Sequence, residues 1–290
     1  MGRRRQLTGL RVLVTGASQG IGRALAIEAA KRGMKVIATA RSLELLEQLA
    51  AEVKALTLPE PAAFEIVQAD IANADDRRKM VDAAQRCYGG LDVLINNAGI
   101  GATGHFADSQ PDTLRQIMET NFFGTAETTR VFLPMLKQGN TPALVNISSV
   151  VGRRALPARS LYSASKFALQ GWSEAIRAEL SKDGIDVVVI NPGLTQTNFS
   201  KNMLEAKAKV QMDHMRGMTS EEVASATLNA LAKGKHEITL TGRGKMLLFF
   251  ARFLPGVIDF FAKKKVRELF KDEIDARNNA AKERETMPTA

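Results

Sequence analysis

Tyr162 and Lys166 stand four residues apart, the spacing that brings two side chains onto one face of a helix. A phenol beside an ammonium ionises more readily, because the positive charge favours the phenolate. Such a pair can give and take a proton near neutral pH. Ser149 lies thirteen positions upstream. Near the N-terminus, Thr15-Gly16-Ala17-Ser18-Gln19-Gly20-Ile21-Gly22 forms a glycine-rich turn. Glycine lets a backbone turn tightly and approach a pyrophosphate, and a helix start supplies N–H groups and a favourable dipole. Tyr-x-x-x-Lys alone is common on helix surfaces. With a nucleotide-type turn in the same chain it becomes informative.

The elements that must hold these residues alternate. Short apolar runs at 10–14, 35–39, 64–67, 92–95, 143–147, 187–190 and 236–240 predict strands. Helical patterns fall between them at 21–31, 43–55, 75–88, 112–136, 160–180 and 221–232. Strands this apolar with helices between them imply a parallel sheet covered on both faces. The expected fold is α/β: a single Rossmann-type, doubly wound sheet of about seven strands, with ligands at the carboxyl ends of the strands. The glycine turn then sits between the first strand and the first helix. A catalytic domain over 1–242 is expected, with a lid at about 194–218 and a C-terminal helical extension over 243–290.

The chain has 290 residues, 45% hydrophobic and 24% charged, as in ordinary globular proteins. Its one cysteine, Cys87, excludes an internal disulfide and fits a reducing compartment. No secretory signal is visible, so a cytoplasmic location is expected. The formal net charge is +9. Arg3, Arg4 and Arg5 carry part of it, and residues 243–290 hold eleven basic against seven acidic side chains. No zinc-ligand spacing, RNP-like strand or helix-turn-helix pattern accompanies that charge, which argues against nucleic acid. No metal site is expected.

Taken in order, these motifs resemble the classical short-chain dehydrogenase/reductase family. The spacing over Gly16, Gly20 and Gly22 is Gly-x-x-x-Gly-x-Gly. Asn96-Asn97-Ala98-Gly99 looks like the family's turn after the fourth strand, and Pro192-Gly193 like its turn after the sixth. Asn121, Ser149, Tyr162 and Lys166 match its catalytic four. The resemblance covers about 7–240 and implies hydride transfer between a nicotinamide cofactor and a carbonyl or secondary alcohol. It implies Tyr162 as proton donor and acceptor, with Lys166 lowering its pKa toward the working pH and holding the nicotinamide ribose. It implies Ser149 on the substrate oxygen and Asn121 holding a water that joins Lys166 to solvent. Ser148 competes with Ser149, and the family's gap of thirteen residues favours Ser149.

The resemblance also implies cofactor contacts from Ser18, Gln19 and Ile21 in the glycine turn, from Asn97, and from Pro192, Gly193, Thr195 and Thr197. Thr197 would meet the nicotinamide carboxamide. Asp70 would contact the adenine amino group; a helix N-cap is its competing role. An acid at the end of the second strand would bind the ribose hydroxyls of NAD. This chain reads Ala38-Thr39-Ala40-Arg41-Ser42 there. Arg41 is placed to pair with a 2′-phosphate, so NADP(H) is favoured over NAD(H). A solvated loop charge is the alternative for Arg41.

The substrate is less legible. Phe199, Met203, Leu204, Met212, Met215 and Met218 fall in the expected lid. They either pack it onto the body or line a pocket for a bulky hydrophobic ketone or alcohol. Arg153 and Arg154, close to Ser149, could meet an acidic group or form a solvated charge pair. His105, His214 and His236 are scattered and receive no chemistry. Beyond the last strand, residues 246–261 are strongly apolar and broken by Pro255, with Lys263-Lys264-Lys265 following at once. They are too short and interrupted to span a membrane. A helix lying on an anionic membrane surface fits this pattern, and so does a helix packed on the body or on a partner subunit. A homodimer is expected from the resemblance, through the two long helices on the catalytic side. Two further functions remain open: a 3-oxoacyl-thioester reductase, and a non-enzymatic NADP(H)-binding regulator or membrane adaptor.

Overall fold

A computed structural model of the chain describes residues 2–58, 62–197, 203–205 and 217–286. Its first half runs β1 (Arg11–Thr15), α1 (Gly20–Lys31), β2 (Lys35–Ala40), α2 (Leu43–Lys54), β3 (Phe64–Gln68), α3 (Ala74–Tyr88) and β4 (Val93–Asn96). The second half adds α4 (Pro111–Met118), α5 (Thr125–Lys137), β5 (Ala143–Ile147), α6 (Ser160–Ser181), β6 (Asp186–Asn191), β7 (Thr195–Gln196), β8 (Met218–Thr219), α7 (Ser220–Ala232) and β9 (Glu237–Thr239). Helices α8 (Gly242–Phe253), α9 (Pro255–Leu269) and α10 (Lys271–Thr286) follow.

Seven strands form one sheet in the order β3-β2-β1-β4-β5-β6-β9, and every pairing is parallel. The central strands β4, β5 and β6 are buried almost throughout because both faces are covered. Alternate residues go to opposite sides. Val12, Val36, Val93 and Val145 meet Leu25 of α1, Leu49 of α2 and Leu228 of α7 on one face. Leu13, Ile37, Leu94 and Leu144 meet Met80 of α3, Phe132 of α5 and Ile176 of α6 on the other. The sheet order reverses between β1 and β4, and a crevice opens at their carboxyl ends.

The helix expected over 112–136 is continuous as a rod but not as an α-helix. Between α4 and α5, residues Glu119–Gly124 are π-helical. A Cβ at Gly124 would lie 3.1 Å from the Glu119 carbonyl and 3.1 Å from Ile71, so the close approach to the loop after β3 requires glycine here. The strand expected from Asp92 begins one residue later. Asp92 instead accepts from Arg11 Nη2 at 2.6 Å and from the Asn140 N–H at 2.6 Å, tying β1 to the loop before β5.

Two charged features read from composition prove structural. Arg5 is buried, pairs with Asp186 at 2.6 Å and donates to the Leu231 carbonyl at 2.9 Å. The backbone before it is fastened to the far edge of the fold, with Gly2 N–H donating to Gly234 O and Arg5 N–H to Ala232 O. The apolar C-terminal stretch divides at Leu254, and Pro255 opens α9 at the position where a missing N–H costs nothing. Asp259 of α9 is ion-paired with Arg154. The large side chains of α8 and α9 face outward: Phe249, Phe250, Phe253, Phe260 and Phe261 are all exposed.

Candidate active site

A cleft of about 680 Å³ runs along the carboxyl ends of the strands. The glycine turn between β1 and α1 forms one wall, with Gly16, Ser18, Gln19, Gly20, Ile21 and Gly22 lining it. A Cβ on Gly22 would lie 2.2 Å from the Gly16 carbonyl oxygen. Gly16 itself has φ +66° and its Cβ would lie 2.7 Å from Ala98 Cα. Asn97, just after β4, locks this approach, its amide donating to the Thr15 carbonyl at 2.9 Å and to the Gly16 carbonyl at 3.2 Å. Helix α1 starts at this turn with no side-chain cap and no acid in its first turn. Its N–H groups and dipole therefore meet the cleft without a competing carboxylate.

The other expected cofactor residues line the same cleft: Arg41 after β2, Asp70 after β3, Asn97 after β4, and Pro192, Gly193, Thr195 and Thr197 after β6. Among the described residues no carboxylate pairs with Arg41. Asp70 is not the cap of α3. Asn73 is, accepting from the Asp75 and Asp76 N–H groups, while Asp70 accepts from the Ala72 N–H at 2.9 Å.

Ser149, Tyr162 and Lys166 meet at the far end. Ser149 follows β5 and Tyr162 and Lys166 lie in the first two turns of α6. The Ser149 hydroxyl is hydrogen-bonded to Tyr162 and accepts from the Val151 N–H at 3.3 Å. Lys166 is 4% exposed, donates to the Ile147 carbonyl at 2.9 Å, and holds its Nζ 5.7 Å from the Tyr162 ring centre. Ser148 also lines the cleft, but its hydroxyl is buried.

The protonation expected from sequence is corrected here. With the protein's own groups alone, burial pushes Tyr162 up to about 12, against the pull of Arg159 and of the Ser149 hydrogen bond. Burial also brings Lys166 down to about 8. Desolvation dominates at both groups, because each charge must leave water to sit there.

Asn121 stands behind the wall rather than on it. It is 1% exposed, in the π-helical turn. Its carboxamide accepts from the Ile100 N–H at 2.8 Å, and donates to the Ile100 carbonyl at 2.9 Å and to Ser165 Oγ at 2.9 Å. A Cβ on Gly99 would touch both Asn121 Oδ1 and Lys166 Nζ, at 3.2 and 3.7 Å, so the two polar groups face one small space.

Arg153 and Arg154 are not a solvated pair, and neither lines the cleft. Arg153 is bound by Glu174 and Glu237, and Arg154 by Asp259 of α9. The expected lid is closed at its base by β7 and β8, paired Thr195 with Met218 and Gln196 with Thr219. The Leu204 N–H donates to Gly101 O at 2.9 Å, and the Thr103 N–H to Glu205 O at 2.8 Å. Met203 lines the cleft. Phe199, Met212, Met215 and His214 lie outside the described residues. Sequence reasoning passed over Leu156 and Arg159, which also line the cleft. Arg159 was findable: it precedes Tyr162 by three positions, one helical turn.

The family model for short chain dehydrogenases matches residues 11–208. Among curated proteins, dehydrogenase/reductase SDR family member 7B of Bos taurus is 35% identical over 253 residues, covering 85% of this chain and 78% of that protein. Among solved structures, a short chain dehydrogenase/reductase from Burkholderia phymatum in complex with NAD superposes with TM-score 0.79 at 23% identity, over 87% of this chain and 96% of that one. A short chain dehydrogenase from Burkholderia cenocepacia in complex with NADP gives TM-score 0.72 at 28% identity, over 88% and 97%.

Proposed function

The chain belongs to the short-chain dehydrogenase family, and from that premise we propose that it is an NADP(H)-dependent oxidoreductase acting on a hydrophobic, lipid-like ketone or secondary alcohol. One observation carries the reading: the hydrogen-bonded Ser149–Tyr162 pair, with Lys166 beside it, stands in the same cleft as the glycine turn.

The residues present fit a nicotinamide dinucleotide. The close approach at Gly16 and Gly22 leaves no room for a Cβ, and the α1 start presents N–H groups to a pyrophosphate. Arg41, without a carboxylate partner among the described residues, supports a 2′-phosphate and therefore NADP(H). Asp70 and Asn97 stand on the adenosine side, and Pro192, Gly193, Thr195 and Thr197 on the nicotinamide side. The cofactor supplies or accepts the hydride when bound.

The chain's own groups handle the proton and the geometry. Tyr162 is the acid in reduction and the base in oxidation. Its high pKa keeps it a proton donor at neutral pH, which suits reduction. Ser149 holds the substrate oxygen beside the phenol. Lys166, as an ammonium, favours the phenolate as the proton leaves. Asn121 fixes the loop at Ile100 and faces the Lys166 ammonium, a site suited to a relay water. Ile100, Val151, Leu156, Leu194 and Met203 make the outer walls apolar, which excludes water from the reacting carbon and supports a hydrophobic substrate.

The C-terminal helices extend this reading to a cytoplasmic protein on a membrane surface. No helix among the described residues is long and apolar enough to cross a membrane. Phe249, Phe253, Phe260 and Phe261 are 58–64% exposed, with Lys245, Arg252, Lys263, Lys264 and Lys265 close to them in sequence. That pairing suits an anionic lipid surface. Phe123 and Phe167, exposed at 49% and 44% beside α5 and on α6, support a homodimer through those helices.

The test is NADPH consumption on a ketone series from short 3-oxoacyl thioesters to long-chain and polycyclic ketones, with Tyr162→Phe alongside. Turnover of bulky ketones, lost in Tyr162→Phe, is the expected result. Turnover confined to the thioesters would make it a 3-oxoacyl-thioester reductase. NADPH binding with no turnover on any ketone would favour a regulator or adaptor. Sedimentation with phosphatidylserine vesicles, and not with phosphatidylcholine alone, is the expected membrane result.

A further inference from the structure

Three arginines lie within seven residues at the entry to α6, and two of them are neutralised. Arg153 is held by Glu174 and Glu237, and Arg154 by Asp259. The third, Arg159, is half-buried in the wall of the cleft and has no carboxylate or hydrogen-bond partner for its guanidinium among the described residues. The first turn of α6 offers none, for it contains no acidic side chain. Burial works against the Arg159 charge, and only the nearby Tyr162 oxygen offsets it. An unpaired cation out of water is costly. A fold tolerates it where a ligand brings the missing charge.

Position narrows the ligand. Arg159 precedes Tyr162 by one helical turn, so the two side chains leave the helix on the same side, and both line the cleft. A substrate whose oxygen sits on Tyr162 and Ser149 therefore has its nearby substituents beside the guanidinium. The walls around them, at Leu156, Val151, Leu194 and Met203, are apolar. The planar five-donor fork of arginine matches carboxylate and phosphoryl oxygens in pairs.

We infer that Arg159 is the receptor for an oxyanion on the substrate, so that the natural substrate is an amphiphile carrying a carboxylate or phosphoryl group a few bonds from the reacting carbonyl and an apolar chain beyond. This rests on the reductase reading for the position of the carbonyl. Arg159 acts here as a specificity residue: it selects the substrate and orients it, while Tyr162 moves the proton.

The test uses the full-length protein and matched probes: 4-oxodecanoate and its methyl ester, and 2-oxononylphosphonate and its dimethyl ester. Two readouts are taken for wild type, Arg159→Met and Arg159→Lys: kcat/KM with NADPH, and binding to the NADPH-loaded protein followed by cofactor fluorescence. The wild type should prefer at least one anion over its ester by about 10-fold or more, the worth of one charge-assisted contact. The preference should fall to about 2-fold or less in Arg159→Met, mostly through KM and Kd, and recover in part in Arg159→Lys. The two anions distinguish carboxylate from phosphoryl selection. Equal use of anion and ester by wild type, or an anion preference that survives in Arg159→Met, overturns the inference. So does an equal rise in the NADPH Kd of Arg159→Met, which would put the guanidinium on the cofactor. Anion binding lost in Arg159→Met without any turnover would sustain the oxyanion site and sink the reductase reading instead. Turnover of esters and anions alike, abolished by Tyr162→Phe, would do the reverse.

Discussion

The guanidinium of Arg154, five residues past Ser149, is ion-paired with the carboxylate of Asp259 in α9. The loop that carries the substrate-side serine is thus tied to the apolar C-terminal helix. A second tie anchors the C-terminal helices to the segment after β4: the His105 ring meets the ring of Phe270, the residue after α9, edge to face with centroids 3.7 Å apart. Asp259 is mostly exposed, so the pair contributes little to global stability, about 0–1 kcal/mol. Asp259→Asn should leave the melting temperature within a degree or two. It should still speed amide exchange across 255–269, because α9 loses its polar tether. Unchanged exchange there would mean that ring packing alone holds the helix.

Lys166 makes stability depend on pH. In the folded chain burial brings its ammonium to about 8, against 10.5 for the ordinary group. Between these values the unfolded chain holds the extra proton, so the stability of the cofactor-free protein should rise with pH from about 8 to 10.5. Below 8 the full penalty applies, on the order of 3 kcal/mol. Lys166→Met should therefore be more stable than wild type at pH 7, and that margin should shrink as pH approaches 10. Tyr162, raised to about 12, acts with opposite sign: above pH 10 the folded chain keeps the proton longer, and stability falls. Urea titrations of both proteins from pH 6 to 10 measure the difference directly.

Arg41 should decide between the two dinucleotides. Arg41→Ala removes a charge-assisted contact worth about 1.5–3 kcal/mol, so the NADPH Kd should rise about 10- to 100-fold while the NADH Kd hardly moves. Calorimetric titration of both cofactors checks it. Equal losses for NADPH and NADH would mean that Arg41 does not meet the 2′-phosphate.

Gly22→Ala should be disproportionately damaging for one methyl group. Its Cβ would lie 2.2 Å from the Gly16 carbonyl and 2.3 Å from the Asn97 amide, and neither can retreat without opening the Asn97–Thr15 bond. A loss of about 3 kcal/mol is expected, together with weakened NADPH binding. Gly171→Ala is the control, since a Cβ there meets nothing within 4 Å.

Much of the sheet and the cleft could be read from local pattern. Apolar runs such as Val12–Val14 mark a strand buried on both faces, and Gly16 to Gly22 mark a tight turn at a helix start that can approach a pyrophosphate. The features that escaped are set by tertiary packing. The π-helical turn at Asn121 is a shift in hydrogen-bond register, and composition carries no sign of it. Arg5 and Asp186 lie 181 positions apart, so their pairing has no local signature, and Arg5 reads as one more charge in a basic run. Arg153 and Arg154 read as solvated for the same reason. The pKa of Tyr162 depends on how much water remains around two charges, which spacing alone does not tell. Arg159 was visible by helical arithmetic, yet a lone arginine acquires meaning only when its neighbours are known to be spoken for.

The buried arm at Arg5 also sets an order of events during synthesis. Its partners are Asp186 and the carbonyl of Leu231, so an early residue waits for most of the chain to be made. At about 5–20 residues per second, the delay before Asp186 emerges is roughly 10–35 s. For that interval the ribosome carries a nascent sheet whose β1 can find β2 and β4 but whose leading segment has nowhere to dock. The far edge, once extruded, closes over the Arg5 arm and seats its guanidinium between Asp186 and the Leu231 carbonyl.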